Sequence, residues 1–291
     1  MTPALTPDQI ARFQRDGFLV LPDVFSAQEL AGFHDEADFL IELLVNASDF
    51  HQRRSGRLDL IVQPDDGAMV RKIQPINDLA LGLARLSRDA RLLGPLRELM
   101  GDEPQLMEEK LNAKQAVGDL PGICHPRHDR ADDRFPIHND WAYYAHNGYP
   151  QTVISTAVAL DACTADNGPL RIWPGSHTVH REHDVIPDLG LQVRPDLIDH
   201  DGGEDLLMTA GSVVFFHSLL VHNSRPNCSG EPRRLMIYSH VPKGAGMPPD
   251  ARNGGGRMRE APYEIAYLRA KAEGRHRDRF HLPRRSEAVG V

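Results

Sequence analysis

The triplet His138-Asn139-Asp140 places an imidazole and a carboxylate two positions apart, directly after the apolar run Phe135-Pro136-Ile137. On a β-strand, residues i and i+2 project from the same face, so both side chains can reach one ion. Farther along, His222 ends a second apolar run, 219–221. Two neutral imidazoles and one carboxylate on one face of an octahedral iron(II) ion leave three positions open for a co-substrate and oxygen. The pattern predicts a mononuclear non-haem iron site on His138, Asp140 and His222.

The triplet alone has little specificity, because the chain contains a second one, His276-Arg277-Asp278. That copy lies in a polar, arginine-rich stretch with no strand pattern around it, and we interpret it as a decoy. On the triplet alone, His138 is equally open to interpretation as a surface-loop or capping histidine. The residues that follow His222 therefore decide between the two interpretations.

Arg233 opens the apolar stretch 235–238 shortly after His222, and Ser224 lies two positions past that histidine. A guanidinium inside a barrel mouth needs an anion and is shaped to bind a carboxylate through two hydrogen bonds. The Ser224 hydroxyl would share the face of His222 and reach the same anion. An iron triad followed by such an arginine and serine predicts a site for a dicarboxylic keto acid. The adjacent Arg234 is expected to form only a surface salt bridge.

The surrounding pattern predicts helices first and short strands afterwards. Capping boxes start helices at Thr6 and Ser26, and a further helix fits Asp89 to Met100. After Glu103 come short apolar or alternating stretches separated by turn residues, which indicate a β-sandwich or jelly roll. The stretches are Leu111–Val117, Thr152–Leu160, Leu170–Trp173, Leu206–Thr209, Ser212–Phe216 and Leu235–Val241.

We expect one domain, with N-terminal helices over about 6–101, a core over about 104–241 and a C-terminal extension over about 242–291. The extension would contain a helix at Tyr263–Lys271, and its last ten residues are expected to be disordered. The chain has 41% apolar and 25% charged residues and a net charge of −8, which argues against binding to nucleic acid or a membrane surface. Three widely spaced cysteines and the lack of a visible secretion signal predict a cytoplasmic protein. Nothing in the sequence sets the oligomeric state.

The chain resembles the phytanoyl-CoA dioxygenase family of iron(II)/2-oxoglutarate-dependent oxygenases over roughly residues 5–241. The similar segments are Phe13–Leu21, His138–Trp141, Asp166–Arg171, Trp173–His177, Ala210–Ser212, and His222–Ser224 with Arg233. The run from Asn167 to His177 is the most specific to the family. The resemblance implies an α+β fold with a mainly β core, a double-stranded β-helix (jelly-roll, cupin-like) with flanking α-helices.

By position, the resemblance makes His138, Asp140 and His222 the iron ligands, and makes Arg233 and Ser224 the residues that bind the far carboxylate of 2-oxoglutarate. Asn112 and Lys114 lie where family members place further polar contacts to the co-substrate. Relatives with a glutamine near the start of this strand also use it for 2-oxoglutarate, whereas this chain has Met107, Glu108 and Glu109 there.

Three residues are candidates for contact with a substrate. Trp141 would form a wall of the pocket, although a buried aromatic residue is equally expected beside any strand end. His125 and His128 lie in the polar segment Cys124–Arg134, whose composition suits either a loop over the barrel mouth or an ordinary solvated loop. The turn at Pro174–His177 is interpreted as structural rather than catalytic.

The expected activity is hydroxylation of a small-molecule metabolite with consumption of O2 and 2-oxoglutarate and release of succinate and CO2. Desaturation, epoxidation or cyclisation remain open. Retention of Asp140 favours oxygenation, since related halogenases have a small residue there. Two alternatives are a non-catalytic jelly-roll protein that binds a small molecule or metal, and a zinc hydrolase with three protein ligands and a bound water.

Overall fold

The computed structural model describes residues 4–62, 68–114, 133–187, 189–229, 231–246 and 261–282. Its helices are α1 (Pro7–Asp16), α2 (Ala27–His51), α3 (Leu81–Leu86), α4 (Ala90–Met100), α5 (Trp141–Tyr144) and α6 (Pro262–Ala272). The strands are β1 (Phe18–Leu21), β2 (Leu58–Val62), β3 (Ala68–Ile73), β4 (Pro104–Lys114), β5 (Phe135–His138), β6 (Ile154–Ala159), β7 (Leu170–Ile172), β8 (His183–Ile186), β9 (Gly190–Val193), β10 (Glu204–Asp205), β11 (Val213–His217), β12 (His222–Ser224) and β13 (Arg233–Pro242).

Both predicted capping boxes are present. The Thr6 hydroxyl accepts a hydrogen bond from the Gln9 amide, and the Gln9 side chain accepts one from the Thr6 amide. Ser26 and Glu29 form the same reciprocal pair at the start of α2. Each pair satisfies backbone donors that have no partner within the helix, which fixes where both helices begin.

Two antiparallel sheets form the predicted jelly-roll core. The large sheet has the order β1-β11-β6-β13-β4-β3-β2 and the small sheet the order β10-β7-β12-β5, while β8 and β9 form a separate hairpin. Side chains alternate between the two faces along the strands of the large sheet. In β13, Leu235 and Ile237 pack between the two sheets, whereas Met236 and Tyr238 pack against the layer of helices. The period of two residues therefore gives this sheet two buried faces.

The structure differs from the expected elements in the first hundred residues and at three later places. Strands β2 and β3 extend the large sheet from a region predicted to be helical, and β4 begins at Pro104 rather than at Leu111. The stretch 206–209 contributes only one isolated bridge, Cys163 to Met208. The hairpin β8–β9 was not predicted. Charged residues inside β3 and β4 hide the strand pattern, because their partners come from other segments of the chain.

The C-terminal helix is confirmed as α6, which packs against α2 through Tyr267, Leu43 and Ala47. The final residues, predicted to be disordered, lie outside the described ranges. Among the described helices, none combines the length and the apolar character needed to cross a bilayer.

Gly211 lies in the turn before β11 and approaches the backbone that leads into α2. Its φ of +88° suits glycine, and its carbonyl accepts hydrogen bonds from the amides of Val24 and Phe25 at 2.9 and 3.1 Å. A Cβ atom here would overlap the Phe25 carbonyl oxygen. We expect Gly211→Ala to lower the free energy of unfolding by about 3 kcal/mol, because strain and overlap add. Urea unfolding measures this.

Gly101→Ala is the matched control for that substitution. Gly101 also has a positive φ, +65°, but a Cβ atom would meet nothing within 4 Å. Gly101→Ala should lower the free energy of unfolding by only about 1 kcal/mol, the cost of the left-handed conformation itself. Equal losses in the two variants would contradict the close approach at Gly211.

Glu109 in β4 points toward the helical layer and is 1% exposed. One carboxylate oxygen accepts from the amides of Ile76 and Asn77, both at 3.2 Å, and the other has no hydrogen-bond partner among the described residues. Burial raises the pKa of Glu109 from 4.5 to about 7. The folded protein therefore binds more protons than the unfolded chain between these values, and the free energy of unfolding should fall as pH rises through this window.

Glu109→Gln keeps the acceptor oxygen and removes the charge. The variant should gain stability relative to the wild type by about 2–3 kcal/mol on going from pH 5 to pH 8. Urea unfolding of both proteins at the two pH values tests this. A constant difference between them would show that Glu109 ionises normally.

Candidate active site

The register of β5 and β12 brings the two predicted histidine ligands together. His138 and His222 are directly opposite each other in this antiparallel pair, and their ring centroids are 4.3 Å apart. Directly opposed residues project from the same face of a sheet, so both rings enter the space between the sheets. Asp140 follows β5 at the start of α5, and its Oδ1 lies 3.8 Å from the Nε2 of each histidine.

Backbone carbonyls orient both imidazoles. Nδ1 of His138 lies 2.7 Å from the Pro136 carbonyl oxygen, and Nδ1 of His222 lies 2.9 Å from that of Leu220. Because a carbonyl only accepts, each Nδ1 carries the proton and each Nε2 offers a lone pair to the cavity. Burial and the neighbouring His222 lower the pKa of His138 to about 3, and burial lowers that of His222. Both rings are therefore neutral at physiological pH, as metal ligands must be.

The Asp140 carboxylate is held from behind by hydroxyl groups. Its Oδ2 accepts from Ser155 at 3.1 Å, and Ser155 contacts the Ser239 hydroxyl at 2.9 Å. Tyr144 continues the chain of contacts and donates to Glu108 at 2.8 Å. Burial opposes ionisation of Asp140, but Lys110, the two imidazoles and Ser155 outweigh it, so its pKa falls to about 2. The group is a carboxylate at any pH at which the protein works.

These three side chains suit a divalent metal ion. Their ligand atoms all lie within 4.8 Å of one another, and no other group of three such residues was found in the described part of the chain. The 3.8 Å between Asp140 and each imidazole is too long for a hydrogen bond. Two metal–ligand bonds of roughly 2.1 Å can bridge atoms up to about 4.2 Å apart. Two nitrogens and one carboxylate oxygen form the donor set predicted for iron(II).

Arg233 lies in the same cavity without a carboxylate partner among the described residues. It is 1% exposed, its Nη2 donates to the Gly168 carbonyl at 2.6 Å, and its Nε has no hydrogen-bond partner there. Burial lowers the pKa of Arg233. The Ser224 hydroxyl and the side-chain carbonyl oxygen of Asn112 are also buried, and neither has a hydrogen-bond partner in the described part of the chain. All three residues line a cavity of about 430 Å³ that includes His138, Asp140 and His222.

The turn Asn167-Gly168-Pro169 positions the guanidinium of Arg233. The Asn167 side chain accepts from the Thr164 amide and donates to the Ala162 carbonyl, which closes the turn. Gly168 has a φ of +69°, and a Cβ atom there would overlap the Arg225 carbonyl. This segment thus holds the Arg233 guanidinium in place through the Gly168 carbonyl.

The turn Trp173–His177 has a comparable supporting role next to the metal ligands. The Ser176 hydroxyl accepts from the Val221 amide at 2.9 Å, and the Trp173 amide donates to the Val221 carbonyl. His177 packs against the backbone at Gly17. The turn fixes the chain immediately before His222, in agreement with the structural interpretation.

Lys114 lies elsewhere than the sequence predicted. Its ammonium donates to the carbonyl oxygens of Asp133 and Arg225, both at 2.6 Å, and it does not line the cavity. It connects the end of β4 to the segments before β5 and after β12. Asn112, by contrast, lies in the cavity as expected.

Trp141 also points away from the cavity. Its indole N–H donates to the Tyr149 carbonyl at 3.1 Å, and its ring packs edge-on against His180. Tyr143 and Tyr144 form the wall instead. His125 and His128 lie outside the described residues.

The second triplet is no metal site. His276 packs against Phe50 and Tyr267, while Asp278 is bound by Tyr267 and Lys271. Arg234, the neighbour of Arg233, forms ion pairs with Asp161 and Asp38 on the opposite face of β13. The contacts agree with the interpretation of the second triplet as a decoy, but Arg234 is only 3% exposed, so its ion pairs are buried and the expectation of a surface salt bridge was wrong.

Several cavity residues were missed by the sequence analysis. Asp59, Arg71 and Lys72 come from β2 and β3, and the apolar side chains of Val185, Ile186 and Leu189 come from the β8–β9 hairpin. Consecutive charges at 71 and 72 inside an apolar stretch were the available signal. The sequence of the hairpin has no signal that distinguishes it from an ordinary surface loop.

Comparison with known proteins identifies relatives over most of the chain. An ectoine dioxygenase of Halomonas elongata is 28% identical over 251 residues, covering 80% of this chain and 69% of the relative. An L-proline trans-4-hydroxylase of Streptomyces griseoviridis is 26% identical, covering 80% and 85%. The crystal structure of EctD from S. alaskensis with 2-oxoglutarate and 5-hydroxyectoine superimposes with a TM-score of 0.62 at 26% identity, covering 84% of this chain and 79% of EctD.

The family model for phytanoyl-CoA dioxygenase matches residues 13–235, which contain every strand of the two sheets except β13, of which only residues 233–235 are included. The matched span also includes the three metal-type ligands and Arg233. This chain belongs to the phytanoyl-CoA dioxygenase family.

Proposed function

We propose that this chain, an iron(II)/2-oxoglutarate-dependent dioxygenase, holds its iron on His138, Asp140 and His222 and hydroxylates a small-molecule metabolite. Arg233, Ser224 and Asn112 would bind the co-substrate. The observation that carries the proposal is the presence, in one cavity, of a neutral-imidazole and carboxylate cluster beside a buried guanidinium with no carboxylate partner among the described residues. A buried charge of this kind calls for an anion.

When bound, the iron and 2-oxoglutarate supply the oxidation, with O2 consumed and succinate and CO2 released. The residues of the chain provide the geometry. Pro136 and Leu220 hold the imidazoles through their carbonyls, and Ser155 holds the Asp140 carboxylate. Arg233 would pair the far carboxylate of the keto acid, with the Ser224 hydroxyl as a second donor. This fixes the distance of the keto acid from the metal ligands.

Apolar side chains cover the inner part of the cavity. Ala157, Leu170, Phe216, Leu235 and Ile237 line it between the two sheets. They leave little room for water beside the reacting groups, which strengthens the charge interactions there. The substrate would enter from the side of the β8–β9 hairpin, whose Val185 is 74% exposed.

A zinc hydrolase would need a general base beside a bound water. The other carboxylates that line the described cavity, Asp59 and Glu108, are each paired with a cation, Arg71 and Lys110. A non-catalytic binding protein would have no need of a carboxylate anchor beside the metal ligands. Succinate release from 2-oxoglutarate on anaerobic loading with iron(II) and exposure to air, over a metabolite panel, separates the oxygenase from both alternatives. Ectoine and L-proline, named in the relatives, are the first compounds to include.

Loss of a metal ligand should abolish iron binding. Asp140→Ala and His222→Ala each remove one of three donors, and we expect bound iron per chain to fall by at least about tenfold and succinate release to be lost. Metal analysis after anaerobic reconstitution measures the first and succinate release the second. His276→Ala, from the second triplet, is the matched control and should retain iron. Normal iron content in Asp140→Ala would rule out the assigned site.

Loss of the Arg233 guanidinium should weaken the binding of 2-oxoglutarate and leave iron binding unchanged. Arg233→Gln should raise the Kd for 2-oxoglutarate by about tenfold to a hundredfold, because a charge-assisted pair of hydrogen bonds is lost. Ser224→Ala should have a smaller effect. The visible charge-transfer absorption of the anaerobic iron(II)–keto-acid complex gives the Kd without a substrate.

Arg234→Gln is the control for Arg233→Gln, since it removes a cation at the next position on the opposite face of β13. It should lower the melting temperature, through loss of the pairs with Asp161 and Asp38, and leave the Kd for 2-oxoglutarate unchanged. An unchanged Kd in Arg233→Gln would exclude Arg233 as the anchor.

A further inference from the structure

A β-bulge turns two consecutive cations into the cavity. In the pairing of β2 with β3, Asp59 is opposite Lys72 and Leu60 is opposite Val70, so Arg71 is the extra residue. Successive residues of a regular strand point to opposite faces, whereas a bulge re-aims one of them. Both Arg71 and Lys72 accordingly line the cavity.

One carboxylate serves both of these cations. Nε and Nη2 of Arg71 donate to Asp59 Oδ2 at 3.3 and 3.0 Å, and Lys72 Nζ lies 3.8 Å from the same oxygen. The guanidinium is 8% exposed and stacks over the Phe135 ring at 4.9 Å. Its Nη1 is buried and has no hydrogen-bond partner among the described residues. Among the described residues, Asp59 is thus the one carboxylate at ion-pair distance from both cations.

Arg71 and Lys72 are separate from Arg233, the proposed anchor for the keto acid. Arg233 lies on β13, and β4 lies between it and β3, so the two positions are two strand spacings apart, about 10 Å. Arg233 is held by Gly168, whereas Arg71 is held by Asp59 and Phe135. Two separate cationic places in one cavity fit two separate anionic groups.

We infer that Arg71 and Lys72 bind a carboxylate of the substrate, so that the metabolite oxidised by this chain is a small carboxylic acid. One oxygen would accept from Arg71 Nη1 and the other from Lys72 Nζ. The β8–β9 hairpin presents Val185, Ile186 and Leu189 to the same cavity, which suits an apolar body attached to that carboxylate. The inference rests on the proposed function, because it takes the metal ligands as the place of reaction.

The test compares acids with their neutral amides on protein loaded with Zn(II) and saturating 2-oxoglutarate. The pairs are L-proline and L-prolinamide, phenylacetate and phenylacetamide, and hexanoate and hexanamide. Ligand-observed NMR and calorimetry give the dissociation constants. We expect at least one acid to bind about tenfold or more tightly than its amide, since the amide loses the charge-assisted contacts.

Arg71→Gln should abolish this preference, and Arg97→Gln, at an exposed ion pair with Glu103, should keep it. The double variant Asp59→Asn with Arg71→Gln removes both charges together and leaves no unpaired carboxylate. It should also lose the preference, which covers the case in which Arg71→Gln alone fails to fold. Both variants should keep their Kd for 2-oxoglutarate.

Three results would overturn the inference. They are equal binding of all acids and amides, a preference that survives in the folded variants, and a preference that disappears when 2-oxoglutarate saturates the protein. The last would place the acids at Arg233. Uptake of Zn(II) and 2-oxoglutarate is measured first, so that failure there counts against the proposed function and is distinct from failure of the acid–amide comparison.

Discussion

The pairing of His138 with His222 across β5 and β12 is the constraint on which the site depends. Side chains alternate between the two faces of a strand, so a slip of one residue in this register would turn one imidazole away from the other. The small sheet is only four strands wide, and β12 has three residues. The register therefore needs support from outside the strand pair. The Ser176 and Trp173 contacts to Val221 supply it immediately before His222.

The same reasoning explains why the most specific parts of the sequence are turns. Asn167–Pro169 holds Arg233 through a carbonyl oxygen, and Trp173–His177 holds the strand that carries His222. A metal ligand tolerates only a small error in position, and short strands cannot provide that precision alone. The three-residue cluster thus depends on precise backbone turns whose residues do not line the cavity.

The sequence analysis predicted the jelly roll, which the structure confirms, and it named His138, Asp140, His222 and Arg233, which the structure brings to one cavity. Continuous apolar stretches are visible at 213–216 and 235–238, and His138, His222 and Arg233 lie on strands next to stretches of that kind. It did not predict the orientation of Lys114 or Trp141. Lys114 donates to the carbonyl of Arg225, which is far away in sequence. Trp141 donates to the carbonyl of Tyr149, which lies on a nearby loop. Periodicity gives the face of a strand but not which polar group a long side chain reaches.

Charged residues within strands were the second difficulty in predicting the structure. Several of them line the part of the cavity that we infer to bind the substrate. In β3 and β4 the charges that resemble an exposed surface are buried, since Glu108 is 2% and Arg71 8% exposed. Glu108 is satisfied by Lys110, Tyr144 and Gln74 within the cavity. The β-bulge that places Arg71 and Lys72 on one side of the strand could not be predicted from alternating polarity either. Buried polar groups of this kind carry a desolvation cost that an apolar wall would avoid. Their presence in one cavity with the apolar side chains of the β8–β9 hairpin fits a ligand whose two ends differ in polarity.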